Sequence, residues 1–287
     1  MRSTSSHESR VTSHARLREC GVTLIEMVMV IVITGIIGVA IAVFLRRPVE
    51  GYVDAARRAE LTDIADTALR RMTRDLRRAL PNSIRVTAVG NATYLEYLQT
   101  SGGGRYRSDV ASDGSGDPLD FTAADTSFDV LGPMPSNAAA GDLVVVYNLG
   151  AGSGTTDAYT GGNSSAIAPG GISGSTITIA SKLFPFPSPG KRFQTVSGPV
   201  TYLCDPDNGN LRRISGYAVT DPQPTNIAAA PLSTAPVNAL LATSVTACSF
   251  VYTAVTQRAG SVALSLQIAQ SGENVRLFQQ VNISNVP

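Results

Sequence analysis

Sites built on imidazole are the first chemistry that the residue types put to the test. The chain holds two histidines, His7 and His14, and both lie within its first 21 residues. A chain that sheds that segment can build no Ser-His-Asp triad, no Cys-His pair and no His-ligated zinc site, so no enzyme is expected. Cysteine offers a second chemistry. Cys20 precedes a long apolar run, whereas Cys204 and Cys248 stand far along the chain. Without Cys20, the remaining two read as a disulfide of an oxidising compartment. Carboxylates offer a third. Asp109, Asp113 and Asp117 in the 101–118 stretch, and Asp205-Pro206-Asp207-Asn208-Gly209-Asn210, bring oxygens of the kind calcium takes. Neither has the spacing of an EF-hand, and Asp207-Asn208-Gly209 reads as a hairpin turn. No cofactor is therefore expected, calcium in an Asp-rich loop being the alternative. The Gly150–Gly154 run lacks the lysine of a phosphate loop and reads as a flexible loop. What remains is Glu26, a carboxylate at the mouth of an apolar run.

That run sets the first element. The nineteen residues Met27–Leu45 carry no charge, and as a helix they reach about 28 Å, close to the ~30 Å hydrocarbon core of a bilayer. A cleavable secretory signal has an apolar region of only about 7–15 residues followed by a small-residue cleavage site. Here Arg46-Arg47-Pro48 follows instead. The segment is expected to span a membrane, but flanking charge does not orient it: Arg2, Arg10, Arg16 and Arg18 precede it, and Arg46, Arg47, Arg57 and Arg58 follow.

Past Pro48 the pattern turns amphipathic. Leu61, Ile64, Ala65, Ala68, Leu69, Met72 and Leu76 recur at steps of three and four, and Val53, Ala79 and Leu80 extend the stripe. Asp54/Arg58 and Asp66/Arg70 at i,i+4, with Asp75/Arg78 at i,i+3, lace the other face. Five carboxylates between Asp54 and Asp75 interleave with the arginines, so this face reads as solvated and not as a nucleic-acid patch. One helix is expected from Val22 to Leu80, with Gly35, Gly38 and Pro48 as bends and Pro81 as its stop. From Ser83 the texture is β: candidate strands are 84–88, 93–98, 142–147, 176–180, 200–204, 211–215, 249–254, 261–268 and 275–283, with loops at 101–118 and 149–175. The strand ending at Cys204 and the one following Cys248 are expected to neighbour in one sheet. The class is α+β: a long N-terminal helix, half membrane-buried and half amphipathic, on an antiparallel β domain.

Gly21-Val22-Thr23-Leu24-Ile25-Glu26, a polar basic leader ending in Gly and then an apolar helix with Glu at its fifth position, resembles the processing site of type IV pilins and type II secretion pseudopilins. The resemblance implies a leader of residues 1–21, cut by a membrane prepilin peptidase between Gly21 and Val22 on the cytoplasmic side, and N-methylation of Val22, which stands where the family usually has Phe. It gives Glu26 a partner, the terminal amine of an adjacent subunit. Further organisation follows as an assembly helix at 22–45, its amphipathic continuation at 46–80 and a periplasmic β domain at 81–287. The stretches 44–86 and 184–219 and the ending "QQVNISNVP" resemble the minor pilin-like proteins of the mannose-sensitive haemagglutinin (MSHA) pilus, the MshO family. That implies a non-enzymatic minor pilin in the inner membrane and then in a filament or at its tip. Its implied partners are the peptidase/methylase, other major and minor pilins, an inner-membrane assembly platform and the lipid bilayer, with no nucleic acid. The alternatives are a minor pseudopilin of type II secretion and an uncut, membrane-anchored periplasmic enzyme or binding protein.

Overall fold

The structure, a computed structural model, describes residues 21–256 and 259–287. The expected leader, with His7, His14 and Cys20, lies outside the described residues save for Gly21. The chain divides into two units, one ending at Asp54 and one spanning Ala55–Pro287. A single helix, α1 (Leu24–Leu76), begins in the first and runs into the second, and Gly35, Gly38 and Pro48 all lie inside it. In the first unit the side chains from Glu26 to Leu45 are exposed. This helix is long and apolar enough to cross a membrane. The one hydroxyl donor in the run, Thr34, satisfies itself on the carbonyls of Val30 (2.6 Å) and Ile31 (3.1 Å), as a hydroxyl on an apolar helix can.

From Ala55 onward the helix belongs to the compact unit. Leu61, Ala65, Leu69, Met72 and Leu76 are buried, while Val53, the outlying member of the expected stripe, is exposed. The helix stops at Leu76, short of the expected Leu80, and Pro81 is not what ends it. After a turn, the backbone leaves α1 to pair with a strand: the Leu80 N–H donates to the Leu98 carbonyl at 2.8 Å and the Thr100 N–H to the Arg78 carbonyl at 2.9 Å. Sheet hydrogen bonds take over the carbonyl and amide that another helical turn would have used. The charge lacing differs as well. Asp66 does hold Arg70, but Asp75 turns inward to Arg213 (2.8 Å) and to the Tyr202 hydroxyl (2.7 Å) instead of to Arg78. Arg58 reaches Glu273 at 2.8 Å.

Twelve strands follow among the described residues: β1 (Arg85–Val89), β2 (Ala92–Tyr106), β3 (Asp125–Leu131), β4 (Leu143–Val145), β5 (Ser164–Ser173), β6 (Thr176–Lys182), β7 (Arg192–Asp205), β8 (Asn210–Ser215), β9 (Val237–Ala242), β10 (Val245–Thr256), β11 (Ala259–Gln270) and β12 (Glu273–Ser284). Every pairing is antiparallel. The spine is the β2–β7 ribbon, paired from Thr93↔Cys204 to Arg105↔Arg192 with register shifts between Gln99 and Gly102. At one end β1, β8 and β9 flank it. At the other, β2–β3–β6–β5–β4–β7 pair in succession and the ring closes through the ribbon itself, around a core that includes Tyr106, Phe128, Val144, Ile177, Phe184 and Phe193. Two expected loops are therefore wrong in part. The 101–118 stretch starts as the far half of β2, and 149–175 contains β5.

The sheet β10–β11–β12 stands apart. Its inner residues Val262, Leu264, Leu266 and Ile268 join Leu69 and Met72 of α1 and Leu95, Tyr97 and Tyr202 of the larger sheet in one core. The opposite face of the larger sheet is closed by the connection after β8, through Tyr217 and Leu232 against Tyr94 and Ile214. Side chains alternate along the ribbon accordingly: Leu95 and Tyr97 face the helix, whereas Tyr94, Glu96 and Leu98 face away.

Candidate functional site

The residues singled out by the sequence sit at the start of α1. Gly21, Val22 and Thr23 precede the helix and are exposed. Thr23 is its N-cap: its hydroxyl accepts the Glu26 N–H at 3.3 Å and its carbonyl accepts the Met27 N–H at 3.1 Å. Glu26 is thus the N3 residue of a Thr-x-x-Glu sequence, the pattern of a capping box, and the acid of the helix's first turn. An acid in the first turn stands at the positive end of the helix dipole. The sequence reading missed this local reason for Glu26, although the signal, Thr three residues before Glu ahead of an apolar run, was there. Gly21 has no such local reason. A Cβ built on it meets no atom within 4 Å, so no contact among the described residues demands glycine there.

Cys204 and Cys248 are bonded, with Cα atoms 6.5 Å apart. The expectation that their strands share a sheet is corrected: Cys204 is on β7 of the large sheet and Cys248 on β10 of the small one. The bond ties the two sheets together across the core. Such pairing is natural where both strands turn a cysteine toward a shared interior.

The acidic loop residues are spent one by one. Asp113 accepts from the Ser115 N–H (2.9 Å) and hydroxyl, Asp117 accepts from Ser127, and Asp129 accepts from the Asp117 N–H and from Thr176. Those donors hold the Asp113 and Asp129 carboxyls below the usual carboxylate range. Among the described residues no cluster of three or more His, Cys, Asp or Glu is placed to hold a metal ion. Asp207-Asn208-Gly209 does form the β7–β8 hairpin turn, with Gly209 at φ 66°. The Gly150–Gly154 run is a folded turn and not a flexible loop: buried Asp157 accepts the Gly152 N–H at 2.8 Å, and a Cβ on Gly150 would collide with the Asn82 carbonyl.

A buried ionic cluster was not foreseen. Arg85 of β1, Glu96 of β2 and Thr201 of β7 stand opposite one another across three strands. Glu96 is fully buried. It holds the Arg85 guanidinium through Nε and accepts the Tyr217 hydroxyl at 2.9 Å, which also meets the Thr201 hydroxyl. Arg85 lies 3.6 Å over the Tyr159 ring. Burial pushes the Glu96 carboxyl up, and Arg85 and Tyr217 pull it partly back. Burial, with the Glu96 charge second, pushes the Tyr217 hydroxyl up as well. Glu96 finds its charged and polar partners inside the fold, and the cluster joins β1, β2, β7 and the ring lobe. A lone Glu between Tyr and Leu in a strand pattern carries the only sequence signal for it.

No family model, no curated protein and no solved structure matches the chain.

Proposed function

We propose that this chain is a minor pilin-like component of a type IV pilus of the MSHA type, held in the inner membrane by α1 and incorporated into the filament or its tip. The observation that carries the reading is Gly21. It stands between a basic leader and the apolar helix, exposed, and no contact among the described residues requires glycine there, which supports a reader outside the chain. A prepilin peptidase is the reader that the Gly21–Glu26 motif fits, with Val22 the new, methylated terminus. The disulfide supports an oxidising compartment for the β unit, hence an outward-facing domain and a cytoplasmic N-terminus. A long helix with an apolar first part, carried on a disulfide-tied β unit, agrees with the pilin-like architecture.

Mass spectrometry of the chain purified from membranes tests the reading: the expected N-terminus is methylated Val22. Gly21→Phe should leave only the longer, unprocessed form on a gel, and loss of residues 1–21 from that variant would refute the cleavage assignment. Glu26→Val should leave cleavage, insertion and folding intact. It should ease insertion by about 2–4 kcal/mol, the cost of an ionised group in lipid, while leaving a neighbouring subunit's amine unpaired. The expected result is a processed chain that co-purifies poorly with sheared filaments at equal membrane levels. Equal incorporation would reduce Glu26 to its helix-capping position.

A further inference from the structure

We propose that the outer face of the small sheet, β10–β11–β12, docks a second copy of this chain, face to face about a two-fold axis that runs along the strands. The inner face is spent on the core through Val262, Leu264 and Leu266. Alternate residues point the other way, and there Val251 is 51% and Phe278 67% exposed. Cross-strand rows on this face run Ser249–Ser265–Phe278 and Val251–Ala263–Gln280. The strands differ in height. Arg276, Phe278, Gln280 and Asn282 of β12 make a ridge, whereas Ser249 and Val251 of β10 and Ser261, Ala263 and Ser265 of β11 make a low ledge beside it. Among the described residues of the face Arg276 is the single charge, and its Nε donates to the Ser265 hydroxyl at 3.1 Å. Depletion of charge is what marks the centre of a protein–protein interface.

An axis over β11 and parallel to it sets β12 of each copy against β10 of the other. Each ridge then drops onto the opposite ledge, with Phe278 facing Ser249 of the second copy and Gln280 facing its Val251. The two Arg276 side chains stay on opposite flanks, in water. Sheets packed in this way stand about 10 Å apart with their strands nearly aligned. Three strands at ~4.8 Å, each of 12 residues at ~3.4 Å, give about 600 Å² per copy and roughly 1,200 Å² in all, enough for a specific dimer. Two rival axes fail. One running across the strands sets ridge on ridge, and one pairing the free edges of β12 antiparallel turns one copy end for end. Both invert α1, because β12 runs alongside that helix: Glu273 at its start meets Arg58 at 2.8 Å, and the Asn285 carbonyl past its end accepts from Asn82. Two copies held in one bilayer by Met27–Leu45 cannot be inverted. The chosen axis keeps both copies of α1 pointing the same way, level, and on the outside of the sandwich, where the helices do not touch. The choice of axis rests on the membrane span and is independent of incorporation into a filament.

The test uses the full chain in lipid vesicles, with Cys20→Ser to remove the third thiol. Ala263→Cys lies beside the axis and should cross-link to its own counterpart through a short bifunctional maleimide. Val110→Cys, exposed but far from this sheet in sequence and topology, should give at least tenfold less. Phe278→Asp buries an unpaired charge at the contact and should cut the Ala263→Cys yield at least tenfold. Ser249→Lys added to the same Phe278→Asp chain should restore it, since the axis sets position 278 of each copy against position 249 of the other. An intact Cys204–Cys248 bond and an unchanged far-ultraviolet spectrum in each variant check the fold. Equal yields at 263 and 110, no cross-link at 263, indifference to Phe278→Asp, or no rescue by Ser249→Lys overturns the proposal. Because no other pilin is present, failure here leaves the filament reading standing, and failure of Val22 processing leaves this docking test intact.

Discussion

Arg85→Met should cost the β unit about 3–5 kcal/mol at pH 8 and much less at pH 4.5. Removing one partner of a buried pair leaves the other charge uncompensated, which is where losses of this size arise. Glu96 is fully buried and keeps only the Tyr217 hydroxyl once the guanidinium is gone. Burial already raises its carboxyl above the ordinary value, so the folded chain holds the proton more tightly than the unfolded one. Stability from that source is fully present below the unfolded value, near 4.3, and is lost as pH rises through the folded value. Without Arg85 the folded value climbs further, and the deficit widens above about pH 4.3. For a unit of this size each kcal/mol moves Tm by about 2–4 °C, giving a drop of about 6–20 °C at pH 8. Thermal melts of wild type and variant at both pH values check it. Arg85→Met with Glu96→Gln should flatten the pH dependence. An equal loss at both pH values would assign the role of Arg85 to its other contacts, the Tyr159 ring and the Thr220 carbonyl it donates to at 2.7 Å.

Breaking Cys204–Cys248 should destabilise the same unit by about 4 kcal/mol on the chain-entropy account of a loop this long, a fall in Tm of about 8–16 °C. The sequence separation is 44 residues, and the bond joins strands of different sheets, so no backbone ladder between β7 and β10 duplicates its work. Melts of Cys204→Ala/Cys248→Ala against the oxidised chain measure the effect. A variant that melts with wild type would show that the shared core alone holds the sheets.

What could be read in advance follows from which forces were local. The apolar run, the stripe on α1 and the β12 alternation all follow periodicity, and they emerged close to where they were expected. The misses were set by distant partners. Gly102, Gly103 and Gly104 looked like loop residues, yet they sit inside β2 because a Cβ there would meet Pro135, the Phe193 carbonyl and the Phe193 ring. They mark close approach within a sheet. Pro169 and Gly171 disguised β5 in the same way: the β5–β6 register shifts between Ile167 and Ile172, and a Cβ on Gly171 would strike the Thr178 carbonyl. The end of α1 was set by Leu98 and Thr100, twenty residues away, and no helix-stop signal near Leu76 announces it. For the candidate site, the Gly21–Glu26 motif and the cysteine pair were legible as residues. The Glu96 cluster was not, because three strands must align before its members meet.

The closed ring has an architectural consequence. Its excursion leaves the ribbon after Tyr106 and returns at Arg192, and Arg105 and Arg192 are cross-strand neighbours. The entire 107–191 segment is therefore a nested insertion whose entry and exit adjoin, so that in principle one tight turn could replace it without re-routing the chain. Beyond the ribbon it is attached through Tyr159, whose hydroxyl donates to the Ser83 carbonyl at 2.6 Å and whose ring seats Arg85, and through Asn148, whose side chain donates to the Pro81 carbonyl at 2.7 Å and whose backbone carbonyl accepts from Asn82 at 2.9 Å.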